Sequence, residues 1–572
     1  TGVTYPFQRP LGATARPGGG VEFRVWAPRP RSVSLRLGRT EHTLEPAGYG
    51  VWEGVLDAAP GDDYRFVLDG RRHADPMSRS LPRGLRGPSR VVDPDAFEWS
   101  DSGWDGVPLG ELVLYELHVG TFTGEGTFEA VIPHLRDLRE LGVTAIELMP
   151  VSEFPGVRGW GYDGVYLQAP HHAYGGPDGL RRLVDAAHAE EIGVVLDLVL
   201  NHLGASGVRT MRAFGPYFTD RYETGWGKAI NYDDTDCEGV REWALQSAAG
   251  LVREYHLDGL RLDAVHAIID SGPRHLLAEL ADRVHAERPS ALVIAESNRN
   301  DPRTIRPPDE GGLGQDAQWA DDFHHALRTV LTGEREGYYR DFGRVEDLAR
   351  AFKRPFVYDG RWSETRGRRV GAPAGDRPPE QFVVCCQNHD QVGNRALGDR
   401  LPPRVRPLAA FCTLLSPFTP LLFMGEEWGE NAPFQFFTDH IDKRIARATR
   451  EGRHKEFADF AAFAGEEVPD PQSPETYERS KLTRRVDRRL GALYRELLRL
   501  RPQLPPIEPD IAHAEAQGWL CVRRGPFELA MNFAPRRRCI PVAGTEVLLA
   551  THAVSPDAGG VILPPLSGAV IR

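Results

Sequence analysis

The sequence predicts an α/β protein: a (β/α)8 TIM barrel flanked by an N-terminal β-sandwich and a C-terminal β-domain. Three observations carry this expectation. Across the middle of the chain, apolar strand-like runs alternate with amphipathic helical ones, the pattern of βα units around a parallel sheet. Short alternating strands punctuated by Gly and Pro precede that region, and a second such set follows it. With 572 residues the chain is also long enough for several domains, at about 150 residues each.

Residues 1–98 hold the first set, with strands over 21–26, 32–37 and 64–68 before Asp69-Gly70. Trp26 and Trp52 offer a sugar platform there, although sandwich aromatics are more often buried. Residues 99–500 hold the barrel, with strands expected over 112–117, 145–149, 194–199, 259–262, 292–295, 317–320, 382–386 and 421–424. Helices fit between them, such as 239–255, which opens acidic, and 273–287, with Pro273 in its first turn. After a helix over 484–500, the linker Arg501-Pro-Gln-Leu-Pro-Pro leads into the last β-domain, 501–572.

The 81 acidic and 69 basic residues leave −12, spread along the chain, so no basic face for nucleic acid is expected. Cys237, Cys385, Cys386, Cys412, Cys521 and Cys539 lack any Cys-x-x-Cys pairing and read as reduced, buried thiols. No signal-peptide pattern opens the chain, and no apolar run approaches a membrane span of about 20 residues, so a soluble cytoplasmic protein is expected.

Function is sought at the strand ends, because barrels of this kind carry their active sites at the C-terminal mouth. The third strand ends Asp197-Leu-Val-Leu-Asn201-His202, the fourth Arg261-Leu-Asp263, the fifth Glu296, and the seventh Asn388-His389-Asp390. Glycoside cleavage needs one carboxylate at the anomeric carbon and a second, protonated carboxyl for the leaving oxygen. Carboxylates held close together raise each other's pKa, and a nearby Arg biases one towards staying ionised.

In order and composition these four segments resemble the signature regions of the α-amylase family of glycoside hydrolases. The resemblance implies a retaining mechanism with Asp263 as nucleophile, Glu296 as general acid/base and Asp390 holding the sugar hydroxyls. Arg261 would orient Asp263, and His202 and His389 would bind the ring being cleaved. The stretch Glu153-Phe-Pro-Gly-Val-Arg-Gly-Trp160-Gly-Tyr162, with Ala169-Pro-His-His, Tyr217-Phe-Thr-Asp-Arg-Tyr, Asp321-Asp-Phe-His-His and Leu331-Thr-Gly-Glu, is similar to the maltooligosyltrehalose trehalohydrolase branch of that family. That implies release of trehalose from maltooligosyl trehalose, without a cofactor, the substrate being made by maltooligosyltrehalose synthase. Tyr162 would stack on a glucosyl ring, a reasonable contact for an apolar C–H face. Amylases commonly follow the nucleophile with a Lys-His pair where this chain has His266 and Ala267, so the leaving side is built differently. Trp226, Asp321 and Phe323 are assigned to that side together with His266.

No acidic cluster with ligand spacing follows Asn201, so no metal is expected there. The adjacent pairs His171-His172 and His324-His325 should diverge in direction and leave no metal centre. Two other functions fit the layout. One is a glucan branching or debranching enzyme, since Gly425-Glu-Glu resembles a branching-enzyme segment; the other is a non-catalytic glucan-binding protein. Retention of Asp263, Glu296 and Asp390 together argues against the second.

Overall fold

The computed structural model describes residues 5–458 and 467–572, so Thr1 to Thr4 of the N-terminal stretch fall outside it. Eight parallel strands close into a barrel in sequence order, the last pairing with the first. They are β1 (Leu114–Leu117), β2 (Ala145–Leu148), β3 (Gly193–Leu198), β4 (Gly259–Leu262), β5 (Leu292–Ala295), β6 (Ala317–Trp319), β7 (Phe382–Cys385) and β8 (Thr419–Phe423). Each coincides with an apolar run read from the sequence, because a strand covered by helices outside and by packed side chains inside must be apolar on both faces. β3 and β4 are buried at every position.

Two helices start later than expected: the one read over 484–500 begins at Arg488, where the Asp487 carboxylate accepts the Arg489 and Leu490 N–H groups. The helix expected over 273–287 begins at Leu276, with Pro273 outside it. The Asp270 carboxylate accepts the N–H groups of Gly272 (2.8 Å) and Leu276 (2.7 Å), and His275 Nδ1 accepts that of Leu277. These contacts satisfy the first-turn donors and fix the start three residues later than Pro273 would.

At the N-terminus a four-stranded antiparallel sheet (Gly12–Ala15, Val21–Trp26, Val51–Leu56, Glu45–Gly48) faces a second one built on Thr40–Thr43, Val33–Leu37, Asp63–Leu68 and Arg71–His73. Phe23 from one meets Tyr64 from the other edge-on, centroids 4.9 Å apart. Trp26 is buried, not a sugar platform: it sits against Tyr217 and directly over Gly239, where a Cβ would lie 2.0 Å from its ring. Trp52 is tied down as well, its Nε1 donating to the Ala27 carbonyl. The same interface buries an Arg79–Glu254 pair at 2.8 Å, joining the sandwich to the barrel helix Glu238–Tyr255.

The C-terminal domain pairs a five-stranded antiparallel sheet with a three-stranded one. It is tied to the barrel by Arg524, which donates to the Leu415 carbonyl at 3.0 Å. All six cysteines are free; Cys539 is exposed, unlike the four buried at positions 385, 386, 412 and 521. Among the described residues no helix is long and apolar enough to cross a membrane.

Candidate active site

Asp197 on β3 is the register partner of Arg261 on β4, and both point into the barrel. The Arg261 Nη1 lies 2.9 Å from each Asp197 carboxylate oxygen and 2.8 Å from Asp263 Oδ1. Its guanidinium is fully buried over the Trp319 ring, 4.3 Å from the centroid. One cation therefore bridges two carboxylates in a dry site and fixes their orientation; burial raises the Asp197 pKa to about 6, and Arg261 opposes that rise.

Directly after Asp263 the chain takes a left-handed turn at Ala264, φ 41°, an unfavourable conformation for a residue with a Cβ. The turn aims the Ala264 N–H at Glu296 Oε2, 2.6 Å away. Arg261 Nη2 is 3.8 Å from that same carboxyl. Burial is the main influence on Glu296 and pushes its pKa up to about 8; Arg261 opposes the shift, and Asp263, Asp390 and Asp321 add to it. The carboxyl is thus protonated at neutral pH, the state a proton donor needs.

At the end of β7, His389 is wired to β1, one strand beyond the neighbouring β8. Glu116 of β1 accepts from both its backbone N–H and its Nδ1, each at 2.7 Å. The His389 Nε2 lies 2.8 Å from the Tyr162 hydroxyl, which in turn donates to Asp197 at 2.5 Å. Burial works against the charged imidazole, but Glu116 and Asp390 outweigh it and raise the His389 pKa well above its usual value. Burial would also raise Asp390; the His389 cation, followed by Arg261 and Asn394, holds it down to about 2. Glu116 was missed by the sequence reading, although a lone carboxylate inside Leu-Tyr-Glu-Leu signals an inward polar contact. So does Glu147, its register partner on β2, which burial and then Glu116 keep protonated.

Asp263, Glu296, His389 and Asp390 line a cavity of about 370 Å³ that also takes in Trp160, Tyr162, His202, Trp226, His266, Asn298 and Asn394. Its rim is aromatic: Trp226 is half exposed and its ring stacks on His202 at 5.5 Å, 5° from parallel. His202 Nε2 bonds the Tyr162 carbonyl at 2.8 Å. Burial, then Arg299, keeps His266 neutral. Trp160 is buried against Phe434 and donates to the Gln435 carbonyl, so it supports the pocket floor.

Asp321 starts the helix after β6 and stands close enough to Asp390 that burial and that charge together push it up to about 7. Phe323 does not join it. It is fully buried between Phe352 and Phe418, behind the barrel. Two residues along a helix is about 200° of rotation, so a side chain at that offset from Asp321 faces away from the mouth.

The pair His171-His172 does not diverge: the rings stack at 4.6 Å beside the buried Glu153, with ligand atoms within 4.8 Å of one another. Three of the four ring nitrogens are already used, however. His171 Nδ1 accepts the Ala173 N–H and its Nε2 faces the Phe154 carbonyl, while His172 Nδ1 bonds Glu153 at 2.6 Å. A nitrogen that carries a proton for a carbonyl cannot ligate a metal. Volume alone does not mark the active site either. A larger cavity, about 450 Å³, lies behind the sandwich, where Arg79 and Glu254 neutralise each other.

Comparisons with known proteins agree with this geometry. Residues 91–213 match the model of the alpha amylase catalytic domain, and residues 10–93 that of carbohydrate-binding module 48, the isoamylase N-terminal domain. A malto-oligosyltrehalose trehalohydrolase of Saccharolobus solfataricus is 46% identical over 85% of each chain. One of a Rhizobium species, strain M-11, is 43% identical over 97% of this chain and 98% of its own. A solved structure from Salmonella typhimurium, provisionally described as an alpha amylase, superposes with a TM-score of 0.91 at 40% identity, over 98% of this chain and 99% of that one. With its barrel, its carboxylate cluster and relatives of this similarity over nearly its whole length, the chain belongs to the malto-oligosyltrehalose trehalohydrolase family.

Proposed function

We propose that this protein is a retaining glycoside hydrolase that cleaves the α-1,4-glucosidic bond next to the trehalose end of maltooligosyl trehalose, releasing trehalose and a maltooligosaccharide. The observation that carries the reading is the division of labour among three carboxyls around one cavity. Arg261 pairs with Asp263, Glu296 is held protonated, and Asp390 is held ionised. In the first step Asp263 attacks the anomeric carbon while Glu296 gives its proton to the departing trehalose oxygen. The anionic Glu296 then takes a proton from water, whose oxygen displaces Asp263 from the sugar and restores both residues. This order expects carboxyl groups about 5–5.5 Å apart.

Tyr162 presents its ring to the sugar being cleaved, and Asp390 and His389 hold its hydroxyls. Trp226, His266 and Asp321 form the trehalose side, where an aromatic face matches the apolar face of a glucose unit. The substrate calls for a supplier, and we assign that step to a maltooligosyltrehalose synthase. The free thiols support a reducing, cytoplasmic setting.

Product analysis tests the reading, with maltotriosyl trehalose, maltopentaose and amylopectin offered in parallel. Free trehalose should be the dominant early product, with slow attack on the other two. Chain transfer, or linear chains from amylopectin without trehalose, would move the protein to branching or debranching and refute the assignment.

A further inference from the structure

At the junction of the N-terminal sandwich and the barrel, outside the active site, lies a cavity of about 330 Å³, a size common for small-molecule sites. Four arginines from separate segments converge on it. Arg65 comes from the strand Asp63–Leu68, Arg72 from Arg71–His73, Arg86 from the following loop, and Arg209 from the helix Val208–Phe214.

Among the described residues none of the four meets a carboxylate at salt-bridge distance. Asp63 pairs with Arg83 and Arg90, and Asp442, the one carboxylate on the cavity wall, caps its own helix through the Arg444 and Ile445 N–H groups, so the wall carries four guanidinium groups against one carboxylate. Arg65 donates only to the Arg86 carbonyl, at 2.8 Å. The Ser206 hydroxyl, on the same wall, is buried without a hydrogen-bond partner.

Burial, and then Arg71, Arg209 and Arg65, hold the neighbouring His73 in its neutral form. The local field is therefore strongly positive in a chain whose net charge is −12. Concave, uncompensated guanidinium groups with a spare hydroxyl suit a compact anion of high charge, since each guanidinium can bind two oxygens of one tetrahedral group. A nucleic-acid strand would need an extended basic stripe, whereas these four arginines gather around one small concavity.

We propose that this cavity is a binding site for a phosphate dianion, either free or as the phosphoryl group of a small ester. Arg72 and Arg209 are exposed at its edge, so R72Q and R209Q should fold normally. Isothermal titration of the full chain with inorganic phosphate and with glucose 6-phosphate, at constant ionic strength, tests the site.

Saturable binding, weakened about tenfold or more by either substitution and unchanged by R444Q, is expected. Tighter binding of the ester than of the free ion, or the reverse, identifies the occupant and supports the site in both cases. No saturable binding of either probe, or binding that R72Q and R209Q leave unchanged, would overturn it.

Discussion

Replacing Glu296 with Gln removes an ionisable proton but keeps the shape of the side chain, and should move stability and turnover in opposite directions. The carboxyl passes from 4.5 in the unfolded chain to about 8 in the folded one. Below pH 4.5 both states hold the proton and nothing is lost. As pH rises the unfolded chain releases the proton while the folded chain keeps it, so folding is penalised progressively until pH passes about 8. At pH 7 the gap of 2.5 units, at about 1.36 kcal/mol each, is a penalty of order 3 kcal/mol. Gln escapes it, and its amide oxygen can still accept the Ala264 N–H.

Urea unfolding of E296Q against wild type should therefore show little difference at pH 4 and a gain of order 3 kcal/mol at pH 7. Trehalose release should meanwhile fall about 10²–10⁴-fold, equivalent to about 3–5 kcal/mol of barrier. A stability difference that does not change with pH would place the Glu296 carboxyl in the ordinary range. A loss of only a few-fold in turnover would remove it from the role of proton donor.

Other expectations follow from the same geometry. The pH profile of kcat/KM should fall on its basic side near pH 8 as free Glu296 ionises. Asp390, held at about 2, should contribute no acidic limb above pH about 3, and an acidic limb above that pH which D390N abolishes would refute it. D263N should lose at least about 100-fold in kcat while remaining folded, and retained turnover would refute the nucleophile. W226A should raise KM for maltotriosyl trehalose with stability within about 0.5 kcal/mol, and an unaltered KM would take the ring out of the trehalose side. F323A should destabilise by about 3–5 kcal/mol with KM unchanged, whereas a purely kinetic effect would return Phe323 to the pocket.

The barrel was legible because its strands are apolar on both faces and its functional carboxylates interrupt that pattern only at their ends. Asp197, Arg261, Asp263, Glu296 and Asp390 could be found that way. Phe323 could not be excluded, since the sequence near a helix start does not say which side of the turn a residue takes. Glu116 and Glu147 stayed hidden although each is the penultimate residue of its strand, as Asp197 and Arg261 are, because only closure of the barrel brings Glu116 to His389. The stacking of His171 on His172 depends on the 3-10 turn after residue 171, and no local spacing rule anticipates it.

The contact of Trp26 with Gly239 and the Arg79–Glu254 pair bear on how far this architecture can be taken apart. Although the amino-terminal module has its own sheets, removing it would take Arg79 from Glu254 and bare the apolar surface that Trp26 covers on a helix that helps shape the barrel. The module is thus no longer a portable appendage. A truncated enzyme trimmed to its barrel would be expected to precipitate or demand chaperones, and grafts of the module onto other barrels would need both the glycine and the glutamate at matching heights on the receiving helix.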